Sequence, residues 1–227
     1  MSFVTCNGPF VTVWDACTGK AIRLDRACDG DIVRATLDAG QRRLVLGSST
    51  GEIVVFGFLQ GIHIRSMTPR HKGPVSGLAY VAEDQVVVSG GWDRSLRVYD
   101  EIPREGDPPL LRKVDGAHSS DINCVVVSRH FSLIASGSAG GSCRLWDLQF
   151  LSCEGSCTVG HEVQCMCFLE PYPLLAVGDS GGYISVIPVR SWLGKGLAND
   201  VGLRFVNDRE GEGTIEGPAT VTCMTFR

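Results

Sequence analysis

The string Gly178-Asp179-Ser180-Gly181-Gly182 holds a serine in the Gly-x-Ser-x-Gly spacing that can present a hydroxyl nucleophile on a sharp turn. That chemistry needs a strand-to-helix turn with a base nearby, whereas these residues read as the turn of a β-hairpin. Gly47-Ser48-Ser49-Thr50-Gly51 has the same spacing at the matching place of another hairpin, so the pattern follows the turn rather than a reaction. Cys153, Cys157, Cys165 and Cys167 lie close to His161 and have the chemistry of soft-metal ligands. Structural zinc takes four ligands in paired spacings, and no second pair matches. Cys124, Cys165 and Cys223 instead share one column of repeated strands with Gly77, where a small residue packs. Asp29-Gly30-Asp31 has two acidic residues of a calcium loop, but Ala27 and Thr36 stand where further oxygen ligands are needed. Gly194-Lys195-Gly196 lacks the spacing and the hydroxyl of a phosphate loop. The expectation is a chain with no catalytic residue, no metal and no cofactor.

The elements that carry these residues are hairpins. From Val86 to Asp100 the chain reads Val-Val-Val-Ser-Gly-Gly-Trp-Asp-Arg-Ser-Leu-Arg-Val-Tyr-Asp: a β-branched strand, a glycine turn, and a second strand. The same phrase returns at Leu44 to Phe56, Leu133 to Trp146 and Leu174 to Ile187. The residues closing the second strands, Trp14, Phe56, Tyr99, Trp146 and Ile187, are 42, 43, 47 and 41 positions apart. Glu101 to Pro109 accounts for the longest interval, because Pro103, Pro108 and Pro109 cannot continue a ladder. Strands are expected near 31–37, 43–47, 52–57, 61–65, 75–80, 85–90, 95–100, 110–113, 121–127, 132–136, 142–147, 153–158, 162–168, 173–177, 183–188 and 203–206.

Composition narrows the function classes. At 227 residues the chain can bury a substantial core, and a net charge of -4 provides no basic footprint for nucleic acid. The apolar runs are of strand length, too short for a membrane helix. The first residues lack a basic start and a long apolar run, so no secretory signal is expected. The 10 cysteines then read as thiols in a reducing, cytoplasmic compartment.

Repeats of about 40–45 residues with four strands each have the spacing of WD-repeat propeller blades. Val13-Trp14-Asp15, Val98-Tyr99-Asp100 and Leu145-Trp146-Asp147 resemble that family's closing Trp-Asp; Gly160-His161 resembles its opening Gly-His, with His71 and His118 at equivalent places. The resemblance spans nearly the whole chain. It implies an all-β propeller of four-stranded antiparallel blades, in units near 1–24, 31–65, 72–113, 118–158, 161–206 and 219–227. Phe3 to Arg23 reads as a blade lacking its first strand, and Thr220 to Phe226 as a first strand alone. Either the ends close a five-bladed ring, or the chain is a piece of a larger propeller.

The resemblance also implies a hydrogen-bonded lock in each blade, made from a His before the first strand, a hydroxyl in the second, an Asp in the turn and the Trp of the third. By position these are His71, Ser89, Asp93 and Tyr99 in one blade, His118, Ser136 and Trp146 in the next, and His161 in the last; Thr50 and Gly140 stand where Asp is missing. A partner-binding loop face would carry Lys72, Trp92, Asp93, Arg94, Ser119, Ser120 and Glu162. Trp92, at a turn tip, is either a binding anchor or a cap folded over its own blade.

The expected role is a non-catalytic protein–protein interaction scaffold with other proteins or peptides as partners, and no nucleic acid or membrane. The alternatives are a structural cytoskeletal or axonemal subunit and, from another class, a propeller-fold hydrolase. The segments from Asp31 to Ser48, Val75 to Tyr80 and Val88 to Ser95 resemble the long WD-repeat proteins that also carry EF-hands. Several of those are associated with cilia and flagella, which implies a cytoskeletal or ciliary location.

Overall fold

Short β-branched runs separated by glycine turns leave the chain few options other than consecutive hairpins, because each strand's polar backbone must pair with a neighbour. The computed structural model describes residues 2–38, 40–105 and 108–189, and the backbone of 204–206. It falls into two compact units, Met1–Ala117 and His118–Arg227.

The first unit holds three sheets. One is β1 (Ser2–Asn7), β2 (Phe10–Asp15) and β3 (Ala21–Arg26), paired in chain order. The next is β4 (Ile32–Leu37), β5 (Leu44–Ser48), β6 (Ile53–Gly57) and β7 (Ile62–Ser66). The third is β8 (Val75–Val81), β9 (Val86–Gly91), β10 (Leu96–Asp100) and β11 (Leu110–Val114). The second unit holds β12 (Ile122–Ser128), β13 (Leu133–Ser138), β14 (Ser142–Asp147) and β15 (Cys153–Thr158), then β16 (Val163–Phe168), β17 (Leu174–Asp179), β18 (Tyr183–Pro188) and the short β19 (Arg204–Val206). All pairs are antiparallel.

These are the four-stranded antiparallel blades expected, and the N-terminal sheet has three strands. The strand expected at Thr220 to Phe226, and with it Cys223 and ring closure, lies outside the described residues. The prolines of the longest interval fall between β10 and β11, where Asp100 N donates to Pro109 O. Each four-stranded blade repeats one irregularity: the pairing of its first two strands shifts between Ile32 and Arg34, Val75 and Gly77, Ile122 and Cys124, or Val163 and Cys165. A bulge at a fixed place twists the first strand of each blade in the same way each time. Its column holds Arg34, Gly77, Cys124 and Cys165, so a small residue is not required throughout: Arg34 is exposed.

The middle strands are buried on both faces and largely apolar, with a few polar side chains such as Ser48, Ser89, Arg97 and Ser136 buried among them. In β5, Leu44 and Leu46 join a core with Val11, Val13, Val54 and Phe56, while Val45 joins Ile53, Val55, Val75, Val87 and Tyr99 on the other side. In the second unit, Leu133, Ala135 and Leu145 pack with Val163, Met166, Leu175 and Ile187. Glycine makes the blade-to-blade approach possible. A Cβ on Gly47 would sit 2.7 Å from Val75 Cγ1, and one on Gly137 would strike Val163.

Candidate functional site

The turn between β9 and β10 is built around a single carboxylate. Asp93 follows two glycines and a tryptophan, and Arg94, with φ of 59°, turns the chain back into β10. Asp93 Oδ1 lies 2.9 Å from His71 Nδ1 and accepts from Ser95 N and Ser95 Oγ; Oδ2 accepts from Lys72 N at 3.0 Å and Arg97 Nη2 at 3.1 Å. Burial by itself raises a carboxyl, but the donors from His71 and Lys72 outweigh it and hold Asp93 well below the usual carboxylate range. The same burial lowers His71, against the opposing pull of Asp93. His71 Nε2 reaches Ser89 Oγ at 2.8 Å, joining the loop before β8 to strand β9.

Sequence reasoning placed His71, Ser89, Asp93 and Tyr99 in this lock. The first three are directly bonded, but the Tyr99 hydroxyl does not meet Ser89: it donates to Pro69 O at 2.7 Å. A phenol extends beyond the point where an indole N–H would stop. Arg97 and Ser95 were missed. Arg97 is 3 % exposed and also donates to Pro69 O and Arg70 O, so one guanidinium ties the turn to the preceding loop.

In the second unit, His118 Nε2 and Trp146 Nε1 both lie within hydrogen-bond distance of Ser136 Oγ, at 2.7 and 2.8 Å. His118 Nδ1 meets Ser142 Oγ at 2.7 Å, so Ser142 does the work expected of Gly140's position. Burial, aided by the charge of Arg144, lowers His118 to about 4. One signal could have found the missed hydroxyls: Ser95 and Ser142 are 47 residues apart, as are His71 and His118, Ser89 and Ser136, and Tyr99 and Trp146.

His161 takes no such place. Backbone bonds define the equivalence of blades: Ser49 N donates to Asp31 O, Trp92 N to Pro74 O, Ala139 N to Asp121 O and Ser180 N to Glu162 O. Three residues before each acceptor stand Cys28, His71, His118 and Val159. The lock position of the last blade is therefore Val159, and His161 is exposed, its ring stacked on Tyr183 with centroids 5.8 Å apart. The expected blade lock at His161 is corrected on that geometry.

Of the expected loop face, Lys72, Trp92, Asp93 and Arg94 lie in the first unit and Ser119, Ser120 and Glu162 in the second. Trp92 is 52 % exposed, and its backbone N–H donates to Pro74 O. Its side chain begins beside Gly73, where an added Cβ would lie 3.5 Å from Trp92 Cβ. Asp93 is wholly engaged in the lock and offers its carboxylate inward. Glu162 accepts from Asn123 Nδ2 at 2.8 Å, and Ser120 Oγ lies against Gly140.

Ser180 sits in the two-strand turn from β17 to β18, with Asp179 Oδ1 accepting from Gly181 N and Tyr183 N. Among the described residues no three side chains of metal-binding type converge. Cys143 and Cys157 face each other across β14 and β15, and their contact, with burial, pushes the Cys143 thiol up. Among the described residues no helix is long and apolar enough to cross a membrane.

Comparisons with known proteins agree with this architecture. Residues 63–100 and 110–147 match the model of the WD domain, G-beta repeat. The chain is 26% identical over 136 residues to the WD repeat-containing protein on Y chromosome of Drosophila willistoni, covering 54% of this chain and 12% of that protein. It is 27% identical over 165 residues to U3 small nucleolar RNA-associated protein 4 of Saccharomyces cerevisiae, covering 69% and 21%. It is 23% identical over 171 residues to human cilia- and flagella-associated protein 52, covering 73% and 26%. The matched stretches thus span about a quarter or less of these relatives. The crystal structure of a computationally designed protein has the same fold, with a TM-score of 0.70 and 22% identity over 83% of this chain and 55% of the other. Residues 63–100 and 110–147 thus match WD40 repeats, and the antiparallel four-stranded sheets of the chain are consistent with the blades of a WD-repeat β-propeller.

Proposed function

We propose that this chain is a non-catalytic scaffold that captures other proteins or peptides through the loops of its blades. WD-repeat proteins in general serve protein interaction, and the observation that carries the proposal here is Trp92. A large aromatic ring, 52 % exposed, stands at the tip of a turn whose next residue is fixed by five hydrogen bonds. A rigid turn presents the ring at little entropic cost, and tryptophan is among the side chains most often found at binding hot spots. Arg94, exposed beside it, adds a cation of the kind enriched in such contacts. Lys72 extends the same surface; Ser119, Ser120 and Glu162 belong to the partner-binding reading in the other unit.

A second reading, a structural subunit of a cilium or axoneme, draws support from the similarity to cilia- and flagella-associated protein 52. It differs by requiring a permanent contact of large area. Cytoplasmic or ciliary location, partners of protein type, and the absence of nucleic acid and membrane from the partner set are parts of this proposal. The EF-hand relationship suggested by sequence stays with it as an expectation.

The test compares immobilised wild type with Trp92→Ala in extracts of ciliated cells, with captured proteins quantified by mass spectrometry. The variant is expected to keep the wild-type melting temperature and lose specific captured proteins at least several-fold. Unchanged capture, or a variant that melts well below wild type, refutes the anchor role; the latter result identifies Trp92 as a cap on its own blade.

A further inference from the structure

The blade β4 to β7 departs from its neighbours at the place where they are locked. Cys28 occupies the position of His71 and His118 by the backbone equivalence given above. Three residues after the donors Ser49, Trp92 and Ala139 stand Glu52, Ser95 and Ser142. In this blade, then, a thiol replaces the imidazole and a carboxylate replaces the hydroxyl that the imidazole would bind. Cysteine is several atoms shorter than histidine, and a cleft of about 390 Å³ results, lined by Arg26, Ala27, Cys28, Asp29, Glu52 and His63.

Glu52 is the polar group the cleft leaves incomplete. It is 9 % exposed, its backbone N–H donates to Ser48 Oγ, and its Oε1 accepts from Ser66 Oγ at 3.1 Å. Its Oε2 is buried with no hydrogen-bond partner among the described residues. A buried carboxylate oxygen in that state is one donor short. The groups around it do not supply one: Arg26 is turned to the carbonyls of Cys28 and Asp29 at 3.3 and 3.2 Å, and His63 Nε2 meets Ser66 Oγ at 2.9 Å. Burial and the charge of Glu52 push the Cys28 thiol up to about 12, so it remains protonated and uncharged.

We infer that this cleft binds the guanidinium of an arginine side chain presented by a partner protein, with Glu52 Oε2 as its buried anchor. The volume falls within the range of small-ligand pockets, roughly 300–1,000 Å³. A guanidinium is weakly hydrated and planar, so it enters a partly apolar cleft with less desolvation than an ammonium and offers several donors to one carboxylate. The absence of three converging metal-ligand side chains among the described residues disfavours a metal as the occupant. The inference shares no residue with the Trp92 surface, and either can fail without the other.

The experiment titrates N-acetyl-arginine methylamide and N-acetyl-citrulline methylamide into the intact 227-residue chain, followed by chemical-shift changes. Citrulline has the same shape without the charge. The arginine analogue is expected to bind at least tenfold more tightly than the citrulline analogue. Glu52→Gln should abolish that preference, and Cys28→His, which refills the lock position while leaving Glu52 in place, should block both analogues. Equal responses to the two analogues in the wild type, or a preference that persists in either folded variant, overturns the inference. Should Glu52→Gln fail to fold, Cys28→His decides the matter by itself.

Discussion

Replacing Trp146 with alanine removes both a space-filling ring and a hydrogen-bond donor from the second unit. The indole is 3 % exposed on β14, and its Nε1 donates to Ser136 Oγ, the hydroxyl that also holds His118. Deleting a buried indole costs about 3–5 kcal/mol through lost transfer energy and the cavity left behind. The hydrogen bond accounts for about 1 kcal/mol of that. Trp146→Phe keeps one aromatic ring but deletes the donor and part of the buried volume, so it should cost on the order of 1–2 kcal/mol, less than alanine. Urea denaturation followed by far-UV circular dichroism measures both, because the signal does not depend on the residue removed. The expected order of urea midpoints is wild type, then Phe, then Ala, and thermal melts should place the alanine variant on the order of 10 °C lower. An alanine midpoint equal to wild type, or Phe as costly as Ala, would refute the claim that ring volume and the Ser136 bond act together here.

Acid should weaken the second unit between the ordinary histidine range and the native value of His118, about 4. A histidine whose folded pKa is depressed is neutral in both states above the unfolded pKa, so stability is full there. As pH falls, the unfolded chain takes up the proton first, and about 3 kcal/mol is lost by the time the native value is passed. Denaturation of wild type and His118→Gln at a series of pH values between 7 and 4 checks this, the variant showing a shallower decline. Asp93→Asn should cost about 3–5 kcal/mol, because Arg97 is left buried without its carboxylate. It should also remove the stability lost on acidification below the unfolded carboxyl range, since a depressed carboxyl stabilises only above it; equal stability of variant and wild type at pH 7 would contradict the lock.

The hairpins were legible because their causes are local. A run such as Val86 to Ser89 prefers extended backbone, and the Trp92–Arg94 segment that follows the strand makes the turn, with Arg94 at φ of 59°. His71 with Asp93 and His118 with Ser136 were legible for a related reason: the repeat spacing carries one blade's partners onto the next. What failed was register measured by a dipeptide. Gly160-His161 has the right letters, but it stands two residues too near Val163, the first residue of β16, so the lock position falls on Val159. Tyr99 failed through length, its hydroxyl passing Ser89 to reach Pro69.

The sequence by itself determined the repeating unit, the strand order within it and the turns that join strands, since those depend on residues near one another in the chain. Only the tertiary structure decided which polar atoms meet. Ser142 reaches His118 across 24 residues, and Glu52 stands beside Cys28 across the same number, because neighbouring strands and the loop before them converge at one end of each blade. Whether such a meeting produces a closed lock or an open cleft depends on side-chain length at two positions in contact. Pattern along the chain specifies that contact only once the backbone register has been set by packing.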